Sequence, residues 1–194
     1  MFRKNDALIF VPMITGDKLF HFNLKNIDGN RVSTYDFADK YSLLLIVSCN
    51  HCPYARAYWN RLKKLAIRYE EDNLGIAAIC GNDASRYPDD SFEGMQQLHK
   101  QLDLPFPYLH DEDQSVIKQL GATRTPEVFL FNQQRELVYR GAIDDNWENE
   151  NAVMQVYLED AIEYCLDGLD VDYPETEPVG CSIKWKAGNE PSQA

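Results

Sequence analysis

Hydrophobic and polar residues change rhythm several times along the chain, and each rhythm predicts an element. In "LFHFNLKNIDGNRVSTYDFADK" (19–40) they alternate, break at Asp28-Gly29, and resume briefly before a helical turn, the pattern of a β-hairpin. Residues 43–48 form an unbroken, mostly aliphatic run, short enough for a strand buried on both faces. From Tyr54 the period becomes helical, with Tyr58, Leu62 and Leu65 recurring every three or four residues. "GIAAIC" (75–80) predicts a second buried strand. "SFEGMQQLHKQLD" (91–103) predicts a helix capped by Asp90 or Ser91, and "QSVIKQLGA" a short helix stopped by Gly121. "EVFLFN" and "ELVYRGAI" read as two strands joined at residues 133–135, and a last helix spans about 151–167 and ends at Gly168.

Strands and helices that alternate imply right-handed parallel crossovers, and a late hairpin adds antiparallel strands. The expected fold class is therefore α/β, a mixed central sheet with helices on both faces. Residues 1–168 form one domain that includes the N-terminal hairpin. Residues 169–194, "LDVDYPETEPVGCSIKWKAGNEPSQA", shift to a proline-containing composition that predicts an extended C-terminal arm with a disordered end.

Composition narrows the partners. The 194 residues are 44% hydrophobic, ample for a core, while 31 acidic against 19 basic side chains leave a formal charge of −12. That sign opposes nucleic acid and anionic membrane surfaces, which attract basic stripes. The first twenty residues carry only a five-residue apolar run broken by Pro12 and do not read as a secretory signal. A cytoplasmic, reducing location is the expectation, and an odd count of five cysteines does not suggest a structural disulfide framework.

Chemistry concentrates in "SCNHCPY" (48–54). Five cysteines at random would give about 0.1 accidental C-x-x-C pairs, so the Cys49–Cys52 spacing is moderate evidence by itself. Placement strengthens it, because the pair falls where a buried strand hands over to a helix. There the free amide N–H groups and the helix dipole stabilise a thiolate. His51 lies between the sulfurs as a source of positive charge or as a solvated loop histidine. Pro53 suits the first helical position, which would make Cys52 the N-cap.

Thr125-Pro126-Glu127 precedes the strand "VFLF", and an X-Pro bond before a strand is where a cis peptide can be held. Together these features resemble the thioredoxin fold over about residues 17–167. The nearest likeness is its redoxin branch: thioredoxin-like, AhpC/TSA-related proteins akin to peroxiredoxins and to membrane-tethered cytochrome-maturation reductases. Within that branch the chain is similar to proteins having "CNHCPY", "TPEVFLF", "YRGAIDDNW" and "GCSIKWK". The resemblance implies a thiol–disulfide oxidoreductase with Cys49 as the more exposed nucleophile and Cys52 as the resolving thiol. It also implies a cis Pro126 facing them and a Thr125 backbone that pairs with the substrate chain. A disulfide-containing protein or small molecule would be the substrate, an unidentified reductant the electron donor, and the reductase direction suits a reducing compartment. No organic cofactor and no metal is expected.

The motif departs from W-C-G-P-C: Ser48 replaces the tryptophan and Asn50-His51 replace Gly-Pro. Leu43 stands where thioredoxin has its buried acid, which leaves Glu127 as a candidate proton acceptor. Neither cysteine has the peroxidase frame P-x-x-x-[ST]-x-x-C, which disfavours a thiol peroxidase. A redoxin-type copper-binding or copper-delivery protein would use the pair with His99 or His110, although such proteins usually have C-x-x-x-C. Cys80 and Cys165 read as core thiols. Cys181, if extended, shares a face with Ile183 and Trp185; it either seals an apolar patch or acts as a third redox thiol. Asp144 and Asp145, like the acids of "YPDDS", read as turn and cap residues.

Overall fold

The computed structural model describes residues 11–191. The first ten residues, which carry all but the last residue of the apolar run of the leader reading, and residues 192–194, part of the expected disordered end, lie outside that range.

The N-terminal hairpin pairs β1 (Asn23–Asn26) with β2 (Arg31–Ser33) through a turn in which Gly29 takes φ +92°. That left-handed conformation is what the Asp-Gly pair signalled. The aliphatic run forms β3 (Ser42–Val47), α1 covers Pro53–Arg68, and β4 (Leu74–Cys80) lies parallel to β3. There follow α2 (Phe92–Leu102), β5 (Tyr108–His110), α3 (Ser115–Leu120), β6 (Arg124–Thr125) and β7 (Glu127–Phe131). β8 (Leu137–Gly141), α4 (Tyr157–Leu166) and β9 (Cys181–Ser182) complete the order. Seven strands make one mixed sheet, β2-β1-β5-β4-β3-β7-β8, and β6 and β9 pair separately.

β3 is hydrophobic throughout because both of its faces are covered. Leu44 and Ile46 pack toward α1, α2 and α4 with Tyr58, Trp59, Leu62, Met95, Leu158 and Ile162. Leu43, Leu45 and Val47 face the other way, against Val116, Ile117 and Leu120 of α3 and against Met13 and Phe22. Helices therefore lie on both faces, as expected.

Three expectations are corrected. The sequence did not reveal β5, which joins the hairpin to β4 and makes it part of the main sheet, with Lys25 opposite His110 and Ala78 opposite Tyr108. A three-residue strand that starts directly after Pro107 shows no periodicity to read. The last helix begins at Tyr157, because residues 150–152 form a separate 3-10 turn capped by the Asn149 side chain on Asn151 N at 3.0 Å. Finally, Cys181 does not share its surroundings with Ile183 and Trp185: pairing stops at Ser182, Cys181 packs on the α1 side of the sheet, and the other two pack on the opposite side. No helix among the described residues is long and apolar enough to cross a membrane.

The arm is tied down along its length. Thr176 accepts and donates around Tyr139, Arg140 and Ala142, and Lys184 exchanges hydrogen bonds with Asp83 N (2.8 Å) and Asn82 Oδ1 (2.9 Å). Its route brings Cys181 back to the strand-to-helix junction.

Candidate active site

β3 and β4 end side by side, and the loops that leave them carry the reactive groups. Pro53 occupies the first turn of α1 and Cys52 is its N-cap, with φ −70° and ψ 126°. Proline there costs no hydrogen bond and pre-sets the helical φ, so the chain turns into α1 directly at the second cysteine. Thr125 comes from β6, just ahead of a cis peptide bond to Pro126. Its side-chain Oγ1 lies 3.2 Å from Cys49 Sγ, and its carbonyl oxygen lies 3.3 Å from Cys52 Sγ. Thr125, Pro126, Cys49 and Cys52 thus meet at one place.

Neither sulfur is more exposed than the other, contrary to expectation: Cys49 and Cys52 are both 0% accessible. Their environments differ in charge preference. The neighbouring Cys49 thiol favours the charged form of Cys52 most, and the Cys181 thiol and the Ala55 and Cys181 amides add to it against the cost of burial. These neighbours hold its pKa down at about 4. Cys49 is pushed strongly upward, first because its proton is held on Cys52, then by burial and by the negative charge of Asp90. The neutral Cys52 thiol donates to the Thr125 carbonyl at 3.3 Å.

Asp90 is the residue that sequence reasoning missed. Fully buried, it accepts from Asn50 N (2.7 Å), His51 N (3.2 Å), Asn82 Nδ2 (2.8 Å) and the His51 Nδ1 position (2.5 Å). One carboxylate so fixes the two residues between the cysteines. Asn50 is held further by Asp89 O and by Tyr108 Oη, and His51 stacks on Tyr87 with centroids 4.7 Å apart. The sequence signal existed only in outline: the acids of "YPDDS" stand just before α2, where an ordinary cap is the simpler reading. Ser91 supplies that cap, accepting from Gly94 N, which leaves Asp90 for the loop.

Glu127 sits away from the sulfurs in function. Its buried carboxylate pairs with Arg140 at 2.8 Å and accepts from Thr123 N, Thr123 Oγ1 and Arg124 N, so it braces the loop that presents Thr125. Asp144 likewise bonds Tyr58, Arg61 and Asn146 N, and Asp145 accepts from Met154 N, both turn-forming roles. Cys80 and Cys165 are core thiols, raised by burial to about 12 and about 11. His99 bonds Phe106 O, and His110 lies against Phe92, so neither joins the cysteines. The histidine that does is His51, whose nitrogen lies with Cys49 Sγ and an Asp90 oxygen within 4.8 Å of one another.

A family model described as the AhpC/TSA family matches residues 15–140. The chain belongs to the AhpC/TSA family. Within reach of that family assignment, it is 29% identical over 150 residues to the thiol:disulfide interchange protein DsbE of Yersinia pestis, a match spanning 75% of this chain and 74% of that one. The crystal structure of a hypothetical protein from Sinorhizobium meliloti 1021 superposes with a TM-score of 0.86 at 35% identity, covering 92% of this chain and 98% of the other. The thioredoxin domain of a thiol-disulfide oxidoreductase from Bacteroides vulgatus superposes with a TM-score of 0.57 at 16% identity, over 66% of this chain and 88% of that one. At that identity the likeness concerns the fold, which is thioredoxin-like.

Proposed function

We propose that this AhpC/TSA-family protein is a thiol–disulfide oxidoreductase that uses Cys49 and Cys52 as its redox couple and works as a reductase in a reducing, cytoplasmic setting. The observation that carries the reading is the meeting of both sulfurs at Thr125, directly before the cis Pro126, with Cys52 capping α1. The donor set around Cys52 favours it as the nucleophile, the reverse of the order that the family resemblance implies. Its thiolate attacks one sulfur of a substrate disulfide, forming a mixed disulfide and expelling the other sulfur as a thiolate. Cys49 then gives up its proton to the departing substrate and attacks Cys52, which releases the second substrate thiol and leaves Cys49–Cys52 oxidised. An external dithiol returns the pair to its starting state. Asp90 and His51 act as positioning residues, since they fix the loop between the sulfurs.

Reduction of insulin disulfides by the wild type, Cys49→Ser and Cys52→Ser tests the reading. Turnover by the wild type that disappears in both variants is expected. Undiminished turnover in Cys52→Ser would remove the nucleophile assignment. Peroxide consumption with a sulfenate on Cys52 would instead favour the peroxidase alternative. The cluster of Cys49, His51 and Asp90 gives a copper-binding function its one structural foothold among the described residues. A tight cuprous complex without disulfide turnover would replace the oxidoreductase reading with that one.

A further inference from the structure

The C-terminal arm delivers a third sulfur to the pair. β9 lies antiparallel to β6, with Cys181 opposite Thr125 and Ser182 opposite Arg124. The approach is close because residue 180 has no side chain: a Cβ on Gly180 would stand 2.3 Å from the Thr125 carbonyl oxygen and 2.7 Å from its carbon. The Thr125 carbonyl lies 3.3 Å from Cys52 Sγ, and Cys181 packs on the cluster that holds Cys49 and Cys52, where its thiol is electrostatically coupled to that of Cys52. Cys52 is therefore flanked by two thiols, Cys49 on one side and Cys181 on the other. Accessibility distinguishes them, since Cys49 and Cys52 are sealed while Cys181 is only partly buried. The apolar-patch reading explains Ile183 and Trp185, which enter the other core, but not the placement of Cys181 beside a reactive sulfur.

Resting on the oxidoreductase reading above, we propose that Cys181 is the third thiol of an internal relay that carries the disulfide from the buried pair to the surface. After turnover, the Cys181 sulfur attacks Cys52 Sγ of the Cys49–Cys52 disulfide. A Cys52–Cys181 bond forms, the Cys49–Cys52 bond breaks, and the proton lost by Cys181 passes to the Cys49 sulfur. No net electron change occurs in this exchange. Ionisation of Cys181 is easier at this stage than in the reduced protein. There, burial first, then the side-chain interaction with Cys52 and its charge, raise its pKa to about 11, and an oxidised Cys52 carries no charge. A dithiol reductant then attacks the partly exposed Cys181 sulfur, and its second thiol closes on the first. The donor leaves as a disulfide, with Cys52 and Cys181 as thiols.

The full-length chain is treated with oxidised glutathione and its linkages are mapped under non-reducing conditions by mass spectrometry. Cys49→Ser is expected to end with Cys52 joined to Cys181 in the same chain, and Cys49→Ser/Cys181→Ser with glutathione held on Cys52. Glutathione held on Cys52 in the single variant, with Cys181 free, would overturn the relay. Adding Gly180→Val to Cys49→Ser lifts β9 from Thr125, and the Cys52–Cys181 link is expected to be lost; its persistence would remove the role given to strand pairing. Re-reduction of oxidised Cys181→Ser by a protein dithiol is expected to slow on the order of tenfold, because the partly exposed sulfur that the dithiol meets first is gone. An unchanged rate would count against the relay. A wild type that never forms Cys49–Cys52 would sink the underlying oxidoreductase reading, a result separable from failure of the relay alone.

Discussion

β3 and β4 are neighbouring parallel strands, and each runs out into cysteine chemistry, yet the outcomes are opposite. Cys80, the last residue of β4, is fully buried and its thiol is pushed up to about 12 by burial first and by the charge of Asp90 next. Cys52, also inaccessible, is held at about 4, first by the neighbouring Cys49 thiol and then by Cys181 and the Ala55 amide. Burial alone makes a thiol inert, whereas burial beside polar neighbours that favour the charged form makes it an anion. The neighbouring Cys49 thiol is the largest difference, and the Cys181 thiol and the start of α1 at Pro53 add to it.

The strongest way to break this comparison is to remove the favoured sulfur. Cys52→Ser is expected to lower insulin-disulfide turnover by about 10³-fold or more, as loss of an attacking group does, while Cys80→Ala keeps turnover within about twofold. The next effect is selective alkylation. Iodoacetamide should modify Cys52 well before Cys80 once β9 is lifted with Gly180→Val, read by peptide mapping, and the loss of Cys181 beside it should raise the pH at which its alkylation sets in. Cys80 should stay unmodified until the protein unfolds. The two sulfurs also have opposite linkage to folding. The Cys52 contribution is complete above the ordinary thiol pKa of 9.0 and is lost as pH falls toward about 4; that of Cys80 is complete below 9.0 and is lost as pH rises toward about 12.

Asp90→Asn sharpens the comparison from the side of the loop. It replaces a buried acceptor that serves four donors, and a cost of about 1–3 kcal/mol in urea unfolding is expected. Removing its charge should also make Cys49 easier to ionise, visible as faster alkylation of Cys49 at mildly alkaline pH. The smallest effect concerns Asp111, at the end of β5 beside α3. It accepts from Ile117 N at 2.8 Å while its Oδ1 is buried without a partner, and burial raises it to about 7. The folded state holds this proton more tightly than the unfolded chain, whose value is 3.8, so stability should decline as pH rises between those values. Asp111→Asn should flatten that decline in thermal melts.

Where hydrophobic rhythm dominates, the sequence was legible. The unbroken run of β3, the period of α1 and the run of β4 could hardly serve other elements, and Pro53 marked the helix start that makes Cys52 a cap. Thr125 and Pro126 were readable because proline restricts its own bond. β5 was not, since its three residues have no period to display. Asp90 was hidden by sharing its composition with any helix cap, and its role depends on a loop some forty residues away. Cys181 was ambiguous for a related reason: alternation assigns it a face only while a strand continues, and β9 ends after two residues. Glu127 was noticed for its position, but its partner Arg140 lies on β8 and decides its work.

The anchoring of the arm on both sides of Cys181, at Thr176 and at Lys184, has a kinetic meaning. A thiol held between two fixed points competes as a concentration. Even a short flexible tether gives an effective concentration in the millimolar range, and a strand already in register exceeds what such a tether provides. Small thiols diffusing in the surroundings would have to reach comparable levels, and pass the same strand, to intercept Cys52. The arm thereby sets which thiols take part and insulates the pair from the bulk thiol pool.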